Sequence, residues 1–104
     1  MRRLLLAGLA GASLIMSAGA LAAGDAAAGK SKSAICGACH GPDGNSMNGM
    51  WPNLAGQKAP YLVKQLKAFK SGARKDPVMA PMAAPLSVQD MENLAAFYAS
   101  QKLK

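Results

Sequence analysis

Three stretches of the chain repeat apolar residues at helical spacing, and none alternates as a strand does. The clearest begins at Pro60: Leu62, Leu66 and Phe69 recur at i, i+4 and i+7, with Tyr61 and Gln65 beside the stripe. Lys64, Lys67 and Lys70 share its other side. Pro60 suits a first helical turn and Gly72 supplies a stop. Another helix is predicted from Ser87, with Met91, Leu94, Ala95 and Tyr98 as its apolar stripe and Phe97 flanking it. Asp90, three residues after Ser87, is a weak capping-box partner, and Asp90 with Glu92 suits the positive end of that helix. The earliest helix follows Asp25, a good N-cap, through Ala26, Ala27 and Ala28, and is expected to reach about Ile35–Cys39. Gly29 interrupts it at a cost of about 1 kcal/mol relative to Ala. Such a glycine marks close approach by another element. The expected class is all-α.

The connections are long for so few helices. Gly41 to Ala59 holds four Gly and two Pro, and Ala73 to Leu86 holds three Pro. Irregular segments of that length need a function, and wrapping a cofactor is one.

The N-terminus has a separate pattern. Met1-Arg2-Arg3 is basic, Leu4 to Met16 is apolar and uncharged, and Ser17 to Ala23 is made of small residues apart from Leu21. This is the form of a secretory signal peptide, with the A-x-A site at Ala20-Leu21-Ala22. Residues 1–22 are therefore expected to be a signal segment and residues 23–104 a single domain. A retained membrane anchor is the alternative, since Leu4 to Ala23 is long enough to span. Cleavage predicts a periplasmic protein with no stable membrane insertion.

Composition narrows the classes. The chain has 104 residues, too few for two ordinary domains. It is 51% hydrophobic and 16% charged, with a formal net charge of +7. A disordered polyelectrolyte is excluded. Removing Arg2 and Arg3 leaves ten basic residues against five acids, or +5. Two Cys exclude a multi-disulfide scaffold, and one His excludes a poly-histidine zinc site.

Cys36-Gly37-Ala38-Cys39-His40 is C-x-x-C-H, the attachment pattern of c-type haem. Two thiols add across the haem vinyl groups, small Gly37 and Ala38 let the macrocycle lie against the backbone, and His40 follows to coordinate iron. A thioredoxin-like dithiol would need a βαβ pattern, which is absent. A zinc site lacks a fourth ligand, and a Cys36–Cys39 disulfide would close too small a loop to stabilise much. The sixth iron position falls to a lysine or, better suited, a methionine. Met91 reads as core, and Met47 and Met50 lie too near His40 to cross to the opposite face. Met79 and Met82 sit in the Pro-rich segment that can reach over it.

The motif, with Gly41-Pro42-Asp43-Gly44-Asn45-Ser46 after it, then Trp51-Pro52-Asn53-Leu54-Ala55-Gly56-Gln57, Tyr61 to Leu66, Met79-Ala80-Pro81-Met82 and the closing helix, resembles class I c-type cytochromes of the small bacterial cytochrome c4/c553 type. The likeness covers essentially residues 23–104. It implies a small cytochrome c fold: about three main helices and long loops wrapped around one covalently bound haem c. It also implies that the axial methionine stands eight residues before the Ser that opens the last helix, which is Met79, and that Pro52 holds the His40 ring through its carbonyl. Met82 is then haem packing. Gly29 and Tyr98 are the expected contact of first and last helices, with Phe97 in place of Tyr98 if the helix phase differs. Cytochrome c4 proper carries two such domains, and one is present here.

The function implied is a soluble periplasmic one-electron carrier, His40 and Met79 on its iron, shuttling electrons between respiratory complexes. With both axial positions filled, no substrate site is open, so no enzyme activity is expected. A haem c subunit of a larger oxidoreductase is the alternative. Partners are redox proteins, a membrane oxidase or reductase. Nucleic acid is not expected, since no basic, aromatic-rich platform appears. The lysines are either a solvated face or steering charges.

Overall fold

The computed structural model describes residues 24–104, so the expected signal segment lies outside the described residues. Five helices follow in order: α1 (Ala26–Lys32), α2 (Ala34–His40), α3 (Ala59–Ser71), α4 (Met79–Ala83) and α5 (Val88–Ala99), with no strand among the described residues. The all-α expectation holds.

Asp25 caps α1, its Oδ1 accepting from the Ala27 and Ala28 amides at 2.9 and 3.3 Å. The single first helix expected from the sequence is two, because Ser33 interrupts it. The Ser33 hydroxyl donates to the Lys30 carbonyl at 2.7 Å, offering the backbone a local alternative to the helix. The Ser33 amide still reaches the Gly29 carbonyl, and the Gly37 amide the Ser33 carbonyl, both at 2.9 Å. The joint therefore breaks the helix for one residue without opening a gap, and α2 begins at once.

Helix α1 crosses α5 at Gly29. A Cβ added there would collide with the Asn93 carbonyl and press on the Phe97 Cβ. The contact expected with Tyr98 is thus made by Asn93 and Phe97, the alternative phase of α5. The Asp25 amide also donates to Asn93 Oδ1 at 2.9 Å, tying the start of α1 to the same turn. Tyr98, one residue on, faces the α2 side of the core instead.

Pro60 lies in the first turn of α3, and Gly72 ends it in the left-handed conformation at φ 82°. Leu62, Val63 and Phe69 are buried. Leu62 and Val63 pack, with Leu86, against Met91, Leu94 and Tyr98 of α5. Ser87 and Asp90 form a full capping box: Ser87 Oγ accepts from the Asp90 amide at 3.0 Å and Asp90 Oδ2 from the Ser87 amide at 2.9 Å.

The Ala73–Leu86 segment, irregular by its prolines, contains α4. Asp76 organises it by accepting from the Val78 and Met79 amides at 2.9 and 2.8 Å. Pro81 is the third residue of α4, where its missing N–H costs no intrahelical bond. Helix α4 packs on α3 and brings Met79 to its first position.

Candidate haem-binding site

Helix α2 presents Cys36 and Cys39 three residues apart, on one face of a helix. Both thiols are free and half-buried. Cys36 packs against the hydrophobic core. Burial pushes its thiol above the ordinary value.

His40 is the last residue of α2 and is 7% exposed. Its Nδ1 lies 2.8 Å from the Pro52 carbonyl. A carbonyl only accepts, so Nδ1 carries the proton and donates it. Nε2 is then left with a free lone pair, the form needed by a metal ligand. The loop that delivers Pro52 is held at both ends. Asn53 Oδ1 accepts from the Ser46 amide at 2.7 Å, and the Ser46 hydroxyl donates to the Asn48 carbonyl at 2.8 Å. The Leu54 and Ala55 amides both reach the Gly44 carbonyl, at 2.7 and 3.0 Å. Gly44 is buried at φ 82°, and a side chain there would strike the Ala55 amide and the Tyr98 ring. Ser46, Asn53 and Gly44 were not singled out from the sequence as site residues. Their signal was the run of Gly, Asn and Ser directly behind His40.

Two further features bear on what the chain could hold. The Tyr98 hydroxyl is buried beside the Cys36 thiol and Ser33, yet has no partner in hydrogen-bonding geometry. Burial, then the Cys36 thiol, raises its pKa, so it stays a neutral phenol. Large apolar side chains also stand open: Met47 is 99% exposed, Tyr61 47% and Met82 37%. An orphaned buried hydroxyl, uncovered apolar groups, paired thiols and an imidazole with one nitrogen held back fit a haem. A macrocycle covers apolar walls and takes two thioethers and one axial nitrogen. The sequence-predicted residues divide accordingly. Cys36, Cys39 and His40 share α2, Pro52 meets His40, and Met79 heads α4, half-buried, on the α3 side. Met82 lies one turn on and is more exposed.

Comparison with known proteins agrees with this geometry. The cytochrome c family model matches residues 26–102. The chain is 52% identical over 82 residues to cytochrome c4 of Pseudomonas aeruginosa, covering 79% of this chain and 41% of that protein. It is 48% identical over 83 residues to cytochrome c-554(548) of Halomonas halodenitrificans, covering 77% of this chain and 100% of that one. The crystal structure of reduced recombinant cytochrome c4 from Pseudomonas stutzeri superposes with a TM-score of 0.75 at 49% identity, over 79% of this chain and 48% of that one. The chain thus spans about two fifths of the cytochrome c4 relatives it matches, 41 to 43% of their length. The chain belongs to the cytochrome c family, as a class I c-type cytochrome of the c4 type that carries one covalently bound haem c.

Proposed function

We propose that the domain of residues 23–104 is a periplasmic one-electron carrier. In this reading Cys36 and Cys39 would join the haem, His40 and Met79 would hold its iron, and residues 1–22 direct export. The observation that carries it is the His40–Pro52 hydrogen bond of 2.8 Å. It fixes the imidazole tautomer and leaves a bare Nε2 as the nitrogen free to bind a metal. Bound haem supplies the ferric–ferrous couple. The chain's own work is to bury His40, keep water from it and present a soft thioether from the first turn of α4, which raises the potential. Two protein ligands leave no open position for substrate, so the reading is a carrier and not an enzyme. Its partners are then redox proteins, a membrane oxidase or reductase. No described helix is long and apolar enough to cross a membrane.

The test is spectroelectrochemical titration of the holo-protein, with haem staining after denaturing electrophoresis. A reversible one-electron couple, a methionine–iron charge-transfer band and haem that stays with the denatured chain are expected. Haem lost to acidified organic solvent would remove covalent attachment from Cys36 and Cys39. Binding of carbon monoxide to the ferrous protein without displacement of a ligand would remove Met79 from the iron.

A further inference from the structure

The loop behind His40 carries a pair of residues that the fold does not explain. Asn48-Gly49 is exposed and lies between Ser46 and Asn53, whose contact anchors the loop. An Asn-Gly pair ordinarily marks a turn in which the glycine takes a positive φ. Among the described residues the glycines with positive φ are Gly41, Gly44, Gly56 and Gly72, and Gly49 is not one of them. A Cβ at Gly49 would meet nothing within 4 Å. Neither backbone conformation nor packing therefore requires a glycine there.

What the pair does have is an uncommitted nitrogen beside a polarised carbonyl. The Gly49 amide makes no hydrogen bond among the described residues. Asn48 Oδ1 accepts from the Met50 amide at 2.9 Å, a donor aimed at the oxygen on which charge builds when Cγ is attacked. The Asn48 main chain is fixed at the same time, its carbonyl accepting from the Ser46 hydroxyl at 2.8 Å and the Trp51 amide at 3.1 Å. A five-membered ring between Asn48 Cγ and the Gly49 nitrogen closes within two adjacent residues and needs no other element to move. Glycine leaves that nitrogen uncrowded.

The other three asparagines of the chain each lack part of this arrangement. Asn45 precedes Ser46, whose amide is held by Asn53 Oδ1 at 2.7 Å, and its own side chain is tied to Lys102 and Lys104. Asn53 precedes Leu54, whose amide donates to the Gly44 carbonyl at 2.7 Å. Asn93 lies inside α5, where the following amide belongs to the helix.

We propose that Asn48 is a site of spontaneous deamidation through attack by the Gly49 amide nitrogen, and that the isoaspartate formed slackens the loop by which Pro52 holds His40. Solvent hydroxide takes the Gly49 amide proton, the nitrogen bonds to Asn48 Cγ, and the side-chain nitrogen leaves as ammonia with a proton from water. Water then breaks one of the two C–N bonds of the succinimide. Cleavage at Cγ gives aspartate, and cleavage at the main-chain carbonyl gives isoaspartate, so one water is consumed and one ammonia released in all. Isoaspartate routes the chain through Cβ and Cγ. That adds one carbon to the path toward Pro52 and turns the carbonyl that held Ser46 and Trp51 into a pendant carboxylate. The 2.8 Å bond from His40 Nδ1 to the Pro52 carbonyl stands four residues further along that path. The product is a mark of age on the contact that fixes the imidazole.

The test ages the haem-loaded protein in warm, mildly alkaline buffer and follows it by fragment-ion mass spectrometry, which assigns the one-unit mass gain to a single residue. Conversion is expected at Asn48 before Asn45, Asn53 or Asn93, with isoaspartate at Asn48 labelled by an isoaspartyl methyltransferase used as reagent. Gly49→Ala fits the open space at that position, so it should fold as the parent does and slow conversion about tenfold or more by crowding the nitrogen. Asn48→Asp carries the new charge without the added carbon. In the ferrous protein, NMR should show the His40 Nδ1 proton exchanging about fivefold faster or more in the separated isoaspartate form, the worth of one neutral hydrogen bond, and unchanged in Asn48→Asp. Faster conversion at another asparagine, or equal rates with and without Gly49, would overturn the site. An isoaspartate form whose His40 proton exchanges no faster than that of Asn48→Asp would overturn the link to loop length. Mass and label are read on the chain itself, so they stand apart from the carrier reading.

Discussion

At the residue scale the site depends on one side chain and two atoms around it. Nδ1 of His40 is committed to Pro52, and everything proposed for Nε2 follows from that commitment. The sulfur opposite is argued from position. Met79 opens α4, where Asp76 fixes the backbone through the Met79 amide at 2.8 Å. Met79→Ala is expected to abolish the methionine–iron band and lower the reduction potential, while Met82→Ala keeps both; the reverse result would move the ligand to Met82. Asp43 offers a pH test. The Lys104 ammonium first, then the Asn45 amide, hold its carboxyl at about 2 against an ordinary 3.8. A depressed carboxylate stabilises the fold above its ordinary value, and that stabilisation is lost as pH falls from about 4 toward about 2. Lys104→Ala should return the Asp43 titration, followed by carboxyl carbon NMR, toward 3.8, and should flatten the acid limb of stability in that window. The Cys36, Cys39 and His40 run stands out in the sequence by its spacing, whereas Pro52 and the choice of Met79 over Met82 came from the family resemblance; of these expectations the His40–Pro52 hydrogen bond is the one the structure displays. The pairing of Asp43 with Lys104, and the orphaned hydroxyl of Tyr98, were not legible in the sequence. Contacts across 61 positions, or a buried group with nothing to bond, leave no local pattern.

Among the elements, the joint between α1 and α5 is the most demanding. Gly29 is buried where any Cβ meets the Asn93 carbonyl, so both helices would have to part. Gly29→Ala is expected to cost about 2–3 kcal/mol by overpacking, even though alanine is the better helix former. Denaturant unfolding of the holo-protein measures it, and a stabilised variant would mean the helices do not cross there. Ser87→Ala should remove about 1 kcal/mol by breaking the capping box of α5, read in the same way. Helices α3 and α5 were readable from their stripes and stops, and the capping box from Ser87 and Asp90. The interruption at Ser33 was not, since the alanine-rich run around it favours continuing and a single hydroxyl decides otherwise. Nor was α4: three prolines argue for loop, yet Pro81 falls in a first turn, where proline is tolerated. The phase of α5 was the other ambiguity. Phe97 and Tyr98 are adjacent, and only the approach of Gly29 selects Phe97.

Across the whole molecule the protein part is incompletely self-covered. Among the described residues only Met91 and Leu94, of the larger side chains, are below 2% exposed, while Met47, Trp51, Tyr61 and Met82 remain open at 99, 38, 47 and 37%. A core that small is marginal for a domain of this size, and apolar groups left in water contribute nothing to it. A group that binds the folded chain and covers those side chains supplies the missing burial, and one joined covalently cannot dissociate from the chain. The charge pattern adds to the imbalance, because the lysines of α3, in neither ion pair among the described residues, repel one another. The chain made without haem, as Cys36→Ala/Cys39→Ala, is therefore expected to be far less folded than the holo-protein. Its remaining order should sit where packing needs no cofactor, at the Gly29 crossing of α1 and α5, and be weakest in α4 and the Pro52 loop. Thermal unfolding followed by circular dichroism should then be broad and of low amplitude, and hydrogen exchange should protect α1 and α5 above the rest. An apo chain that melts in one sharp step within a few degrees of the holo-protein would show that the five helices are a complete fold without the haem.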